Sequence, residues 1–184
     1  GLLLIVLGLF TLFSYKAPNG MKAMGALAGA ACASFLVEAF HSSFFGNVLN
    51  IEFLQKVGDA NGSLGGVAAA ILVPLALGVS PVYSVLIGLS CSGLGILPGF
   101  IAGYLMSFVV KFLEDKLPSG LDLIVIIVVA TPLTRIIGDF TGPVVDSTLL
   151  KIGHVLIASA NSNSITMGII LGGIITVVAT APLS

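Results

Sequence analysis

Six polar side chains stand out in this sequence because they lie within or beside long apolar runs, where charged and amide groups are costly unless they are paired or wet. They carry carboxylate, imidazole, guanidinium or amide groups, all of which bind polar ligands through hydrogen bonds. We therefore take them as the candidate substrate-binding residues: Glu38, His41, Arg135, Asp139, Asn161 and Asn163.

Glu38 and His41 are three positions apart and so lie on one side of a predicted helix. Such a pair can handle a proton or bind a ligand. It can also be solvated in the headgroup region, because both residues fall near the end of an apolar run. The sequence leaves both interpretations open.

Arg135 and Asp139 are four positions apart, close enough on a helix to form an ion pair. Three interpretations fit this spacing: an ion pair at the membrane interface, a structural pair between two spans, or a contact with a substrate. All three satisfy the requirement that charges near the membrane be paired or wet.

The sequence contains no phosphate-binding loop, no metal-ligand spacing and no nucleophile elbow. Its two cysteines, Cys32 and Cys91, lie among small and apolar residues, where a thiol acts as a small hydrophobe. We therefore predict no cofactor, no metal site and no disulfide, and no catalytic residue can be named.

The stretch 88–104 (GLSCSGLGILPGFIAGY) reads as two apolar helical pieces that meet at a joint. Glycines let other helices approach the backbone, and Pro98 is expected to remove one helical hydrogen bond. At membrane depth such a joint must be enclosed by protein or face a watery cavity. The predicted hinge residues are Gly93, Gly95, Pro98, Gly99 and Gly103. The alternative is a surface turn between two ordinary spans.

The chain contains 57% hydrophobic and only 8% charged residues, and its mean hydropathy is +1.18. This apolar composition predicts that the elements positioning these residues are those of an all-α integral membrane protein, a polytopic helical bundle with broken or re-entrant helices. At about 20 residues per span, the chain has room for about five to seven spans. The net charge of −1 argues against a nucleic-acid partner.

Apolar runs and turn residues predict the order of the elements along the chain. After a first helix that ends near Ser14, we expect spans over 21–40, 62–79, 94–113, 121–137 and 165–181, with an interfacial helix within 44–61. Thr131–Pro132 is expected to bend the chain, and Gly142–Pro143 to restart it. Residues 1–184 are predicted to form one transmembrane domain, an N-terminal or central piece of a longer protein.

Several motifs then resemble one family. Residues Gly93 to Tyr104 (GLGILPGFIAGY), 117–138 (LPSGLDLIVIIVVATPLTRIIG) and 142–153 (GPVVDSTLLKIG) are similar to the membrane-embedded permease component (IIC) of bacterial sugar phosphotransferase systems, especially the fructose-type members. Residues 19–40 (NGMKAMGALAGAACASFLVEAF) resemble the branch that includes perfringolysin-regulator-like membrane proteins.

This resemblance implies a multi-pass, homodimeric permease of the bacterial inner membrane, embedded in the lipid bilayer. Such a permease binds a sugar, moves it across, and presents it to a soluble phosphorylated IIB component, which transfers the phosphoryl group. Two other functions stay open: an ion- or proton-coupled secondary transporter with its coupling charge on Glu38 or Asp139, and a non-transporting membrane regulator or sensor.

Overall fold

The computed structural model describes residues 2–160; the predicted span 165–181 lies outside this part. Within residues 2–160 every regular element is a helix. The first five helices are α1 (Leu2–Lys16), α2 (Gly20–Leu49), α3 (Glu52–Gly62), α4 (Gly65–Ala76) and α5 (Pro81–Ser90). They are followed by α6 (Ile96–Lys116) and α7, which combines Leu121–Val125, Ile126–Ala130 and Thr131–Ala160.

Three of these helices are long and apolar enough to cross a membrane: α2, α6 and Leu121–Thr148 of α7. A fourth span results if α3 and α4, which meet at a bend of 51°, are taken together. The predicted all-α membrane architecture is thus confirmed for the described residues. The predicted number of five to seven spans stays a prediction, because the predicted span 165–181 lies outside the described residues.

α2 runs antiparallel to both members of the bent pair. Ser42 Oγ donates a 2.6 Å hydrogen bond to Asp59 Oδ1 of α3, and Leu72 of α4 lies beside Gly29. Two stretches of α2, Cys32–Leu36 and Ala39–Gly46, are π-helical. Their wider turns lie opposite the bend, where they let one long helix follow two shorter ones.

The prediction of a helix over 21–40 and an interfacial segment over 44–61 is corrected by this packing. α2 continues to Leu49, and the amphipathic helix begins only at Glu52. Gly46 and Gly58 allow the close approach, because a Cβ on either residue would overlap the facing helix. The periodicity of apolar residues did not reveal this contact, because glycine adds no apolar side chain to the pattern.

α4 and α6 form the tightest helix pair. A Cβ on Gly99 would overlap the carbonyl oxygen of Gly66, and a Cβ on Gly103 would lie 2.9 Å from the Cα of Ala70. Small residues four apart on each helix therefore let the two backbones touch, as in close-packed membrane helices. This closely packed pair lies at the centre of the described bundle.

α4, α5 and α6 run up and down beside one another. Gly88 of α5 lies against Ile71 and Val67 of α4, which makes the two helices antiparallel about the turn at 77–80. α6 then returns toward that turn, where Lys111 Nζ donates to the carbonyl oxygen of Leu77 at 3.1 Å. The segment 91–95 is consequently the tip of a helical hairpin.

Two predictions about proline are wrong. Pro98 is the third residue of α6, where a backbone N–H has no acceptor within the helix, so it removes no helical hydrogen bond. Gly142–Pro143 does not restart the chain, since Thr131–Ala160 is one helix with Pro143 inside it. The π-helical turn Ile126–Ala130 directly precedes Thr131–Pro132, and its wider geometry accommodates the proline ring.

Candidate functional site

Two interruptions of the described helices meet at one place: the bend at 63–64 between α3 and α4 and the hairpin turn at 91–95 between α5 and α6. We call them the first and the second break. Gly66, in the first turn of α4, lies so close to the second break that a Cβ would overlap Leu94 O and lie 2.8 Å from Gly95 O. Only a glycine permits this contact. The fold therefore brings together two interruptions that are about thirty residues apart in the chain.

Each break leaves backbone groups without helical partners. At the second break, Cys91 N–H and Ser92 N–H bond the carbonyls of Gly88 and Leu89, which closes the end of α5. Gly93 has a φ of 77°, a backbone conformation that glycine adopts without strain. The first N–H groups of α4 and of α6 both point away from their helices here, as at any helix N-terminus.

Arg135 of α7 connects the second break to an acidic group. Its Nη1 donates a 2.6 Å hydrogen bond to the carbonyl oxygen of Ser92, and its Nε donates to Asp139 Oδ2 at 3.0 Å. The side chains are 46% and 54% exposed, so both face open space at the break. The arginine thus satisfies a carbonyl that the helix break released and also orients a carboxylate.

α7 contacts the same break at two further points. Gly138 packs directly against the Leu94 side chain, and a Cβ on Gly95 would lie 3.8 Å from Asp146 Oδ1. Positions 135, 139 and 146 share one face of a helix with 3.6 residues per turn. The break is therefore lined by one guanidinium and two carboxylates, which can bind the hydroxyl groups of a polar ligand from several directions.

The first break is lined by α2. A Cβ on Gly65 would lie 3.2 Å from Ser34 Oγ, and a Cβ on Gly62 would collide with the Glu38 carboxylate. Glu38 is partly buried in the middle of the apolar helix α2. Among the described residues its carboxylate makes no hydrogen bond and no ion pair. Its packing partner is a glycine.

The structure brings together only some of the predicted binding residues. Arg135 and Asp139 form a pair at the second break, whereas Glu38 lies at the first. His41 is one turn further along α2, where its Nδ1 is 3.1 Å from Val37 O and its ring contacts Phe45. Asn161 and Asn163 lie outside the described residues.

The predicted hinge residues fall into two groups. Gly93 and Gly95 lie in the break itself. Pro98, Gly99 and Gly103 lie inside α6, and the two glycines there pack against α4.

Sequence reasoning missed four residues that line the two breaks: Ser34, Gly62, Gly66 and Asp146. The spacing of glycines at 58, 62, 65 and 66 was the available signal, because small residues four apart predict close helix packing. Asp146 lies in the motif 142–153, but no binding role was predicted for it. Nothing in the local sequence places it beside Gly95.

Comparison with protein families gives one match. The model of the family described as "Phosphotransferase system, EIIC" matches residues 21–184, most of the chain. The chain belongs to the phosphotransferase system EIIC family. This EIIC chain matches no curated protein and no solved structure in the corresponding comparisons.

Membership of the EIIC family supports the general function predicted from the resemblance. EIIC proteins are the sugar-transporting permeases of phosphotransferase systems. These permeases work in a membrane and with a IIB partner. The apolar helices α2, α6 and α7 agree with a membrane protein.

Proposed function

We propose that this EIIC chain moves a sugar across the bacterial inner membrane through the joined breaks and delivers it to a phosphorylated IIB component. The observation that carries the proposal is the meeting of the two breaks beside the Arg135–Asp139 pair. In this proposal the protein is multi-pass, homodimeric and related to the fructose-type members of the family.

A sugar suits this site because each hydroxyl group both donates and accepts a hydrogen bond. Arg135 supplies donors only, while Asp139 and Asp146 supply acceptors only. Backbone N–H groups at the first turns of α4 and α6 add further donors. Such a mixed set binds a neutral polyol without requiring a charge on the substrate.

The joined breaks lie at membrane depth in this proposal. Backbone outside a helix is tolerated there only where protein encloses it or where it lines a watery cavity. The side chains of Arg135 and Asp139 are each about half exposed, so this break opens onto space that water or a substrate can occupy. Broken helices with this property form the substrate sites of many transporters.

The other predicted residues take supporting places in this proposal. Glu38 lies at the first break and His41 lies one turn further along α2. Asn161 and Asn163, which lie outside the described residues, stay proposed sugar contacts. Gly93 and Gly95 give the second break its conformational freedom, while Gly99 and Gly103 hold it against α4.

The test is uptake of a panel of radiolabelled sugars into membrane vesicles that carry the full-length protein, with and without phosphorylated IIB. We expect one sugar to accumulate as its phosphate only when the partner is present. Asp139→Asn should reduce this uptake, whereas Asp115→Asn, which alters an exposed carboxylate at the far end of α6, should not. Equal uptake by Asp139→Asn and the native protein would contradict the proposed site.

The position of Glu38 favours a second candidate, an ion- or proton-coupled transporter. A carboxylate in the middle of an apolar helix is the kind of group that carries a coupling charge. Uptake driven by an ion gradient without IIB, and abolished by Glu38→Gln, would establish this candidate. Ligand-dependent thermal stabilisation with no uptake would instead indicate a sensor.

A further inference from the structure

Three connections of the described chain lie at the same end of the bundle: 17–19, 77–80 and 117–120. Lys111 near the end of α6 donates to Leu77 O at the second of them. Tyr83 in the first turn of α5 donates a 2.7 Å hydrogen bond to Asp122, which follows the third. The first is close by, because Tyr104 OH of α6 donates to Pro18 O at 2.8 Å.

The basic residues are distributed unevenly between the two ends. Of the seven lysines and arginines in the chain, Lys16, Lys22, Lys111 and Lys116 lie at or next to these connections. We call this end, residues 16–22, 77–80 and 111–122, the lysine end. Lys56 and Lys151 lie toward the opposite end, on the far parts of α3 and α7, and Arg135 lies at the breaks.

The tyrosines share the same bias. The chain has three, and no tryptophan. Tyr15 is 77% exposed beside Lys16, and the hydroxyl group of Tyr83 donates to Asp122. Tyr104 is buried in the core and reaches this end only through its hydroxyl group, which donates to Pro18 O. Tyrosine is enriched where a helix passes from the bilayer core to the headgroups. The lysine end therefore lies at a membrane surface.

From this asymmetry we infer that the lysine end faces the cytoplasm and that the joined breaks lie in the outer half of the membrane. Short cytoplasmic loops carry an excess of lysine and arginine, and acidic residues contribute little to this rule. The acidic residues Glu114, Asp115 and Asp122 at the same end therefore do not weaken the inference.

The depth of the breaks follows from helix geometry. α7 begins at the lysine end with Leu121, and Arg135 lies about 20 Å further along it at a rise of about 1.5 Å per residue. The hydrocarbon core is about 30 Å thick. Arg135 and Ser92 therefore lie about two thirds of the way across, nearer to the outer surface.

The inference can be tested with two single substitutions in the full-length protein in intact cells. Ser119→Cys introduces a thiol at the exposed turn of the lysine end, and Glu52→Cys introduces one at the exposed start of α3 at the opposite end. A membrane-impermeant maleimide is applied before and after permeabilisation. The native protein, with Cys32 and Cys91, gives the background, and denatured samples give full labelling.

We expect Glu52→Cys to be labelled in intact cells and Ser119→Cys only after permeabilisation. Asp115→Cys and Asn47→Cys, also exposed, form a second pair that should repeat the result should either first variant fail to accumulate. The reverse pattern would overturn the orientation. Labelling of both ends in intact cells would show that the two ends do not lie on opposite sides of the membrane. Labelling of neither end in permeabilised cells would show that the two ends are not exposed to water.

Discussion

Arg135 donates a 2.6 Å hydrogen bond to the backbone carbonyl of Ser92, a residue 43 positions earlier in the chain. This bond joins α7 to the break between α5 and α6. Since the same guanidinium also bonds Asp139, it links a released backbone group to the carboxylate we propose as a sugar contact. A point charge alone cannot make both bonds in this fixed geometry.

Replacing Arg135 with lysine should therefore impair transport although the charge is kept. We expect IIB-dependent sugar uptake to fall by about tenfold, the equivalent of about one lost hydrogen bond to a charged group. Lys22→Arg, at an exposed position of the lysine end, is the control and should be neutral. Native uptake by Arg135→Lys at equal protein levels would show that the bond to Ser92 is dispensable.

The contact between α4 and α6 should be intolerant of one added methyl group. A Cβ on Gly99 would overlap Gly66 O, so Gly99→Ala should lower the free energy of unfolding in detergent by about 1–3 kcal/mol. Gly8→Ala is the matched control, because no atom lies within 4 Å of its Cβ position. It should be neutral or slightly stabilising, since alanine favours a helix. Equal unfolding curves for the two variants would argue against the close packing.

The effect of replacing Gly93 should depend on whether the new residue tolerates a positive φ, and not on steric overlap with neighbouring atoms. Its φ is 77°, and no atom lies within 4 Å of its Cβ position. We expect Gly93→Val to lose transport, because a β-branched residue is strained at positive φ, whereas Gly93→Asn should retain most of it. Gly120→Val, with a φ of 103° at the distant lysine end, is the control for a purely general loss of stability. Identical transport by the valine and asparagine variants of Gly93 would refute the conformational argument.

Glu38 and Gly62 should be energetically coupled, because a Cβ on Gly62 collides with the Glu38 carboxylate. Gly62→Ala should lower the stability of the native protein more than it lowers the stability of the Glu38→Ala variant. In that variant the carboxylate is gone, so the added methyl group has room. A double-mutant cycle of thermal unfolding should give a coupling of at least about 0.5 kcal/mol. Additive effects would mean that α2 does not pack on the first break as described.

Much of the architecture could be predicted without coordinates. Apolar runs at the length of a membrane span predicted α6 and the first part of α7, and the cluster of glycines at 93 and 95 predicted the break. These features depend on local backbone preferences and on bilayer thickness, both of which act over one segment at a time. The wrong predictions at Pro98 and Pro143 arose because the effect of a proline depends on its place in a helix, which neighbouring residues alone do not reveal.

Composition and hydropathy are enough to identify an all-helical membrane protein with charged groups beside its apolar spans, because they depend only on which residues are present. The contact between the breaks at 63–64 and 91–95, and the bond from Arg135 to the second break, are seen only in the folded chain. These contacts join segments far apart in the chain, and the meeting of the two breaks depends on the absence of a side chain at Gly66. Local patterns cannot predict them, because a glycine does not indicate which distant backbone will occupy the space it leaves.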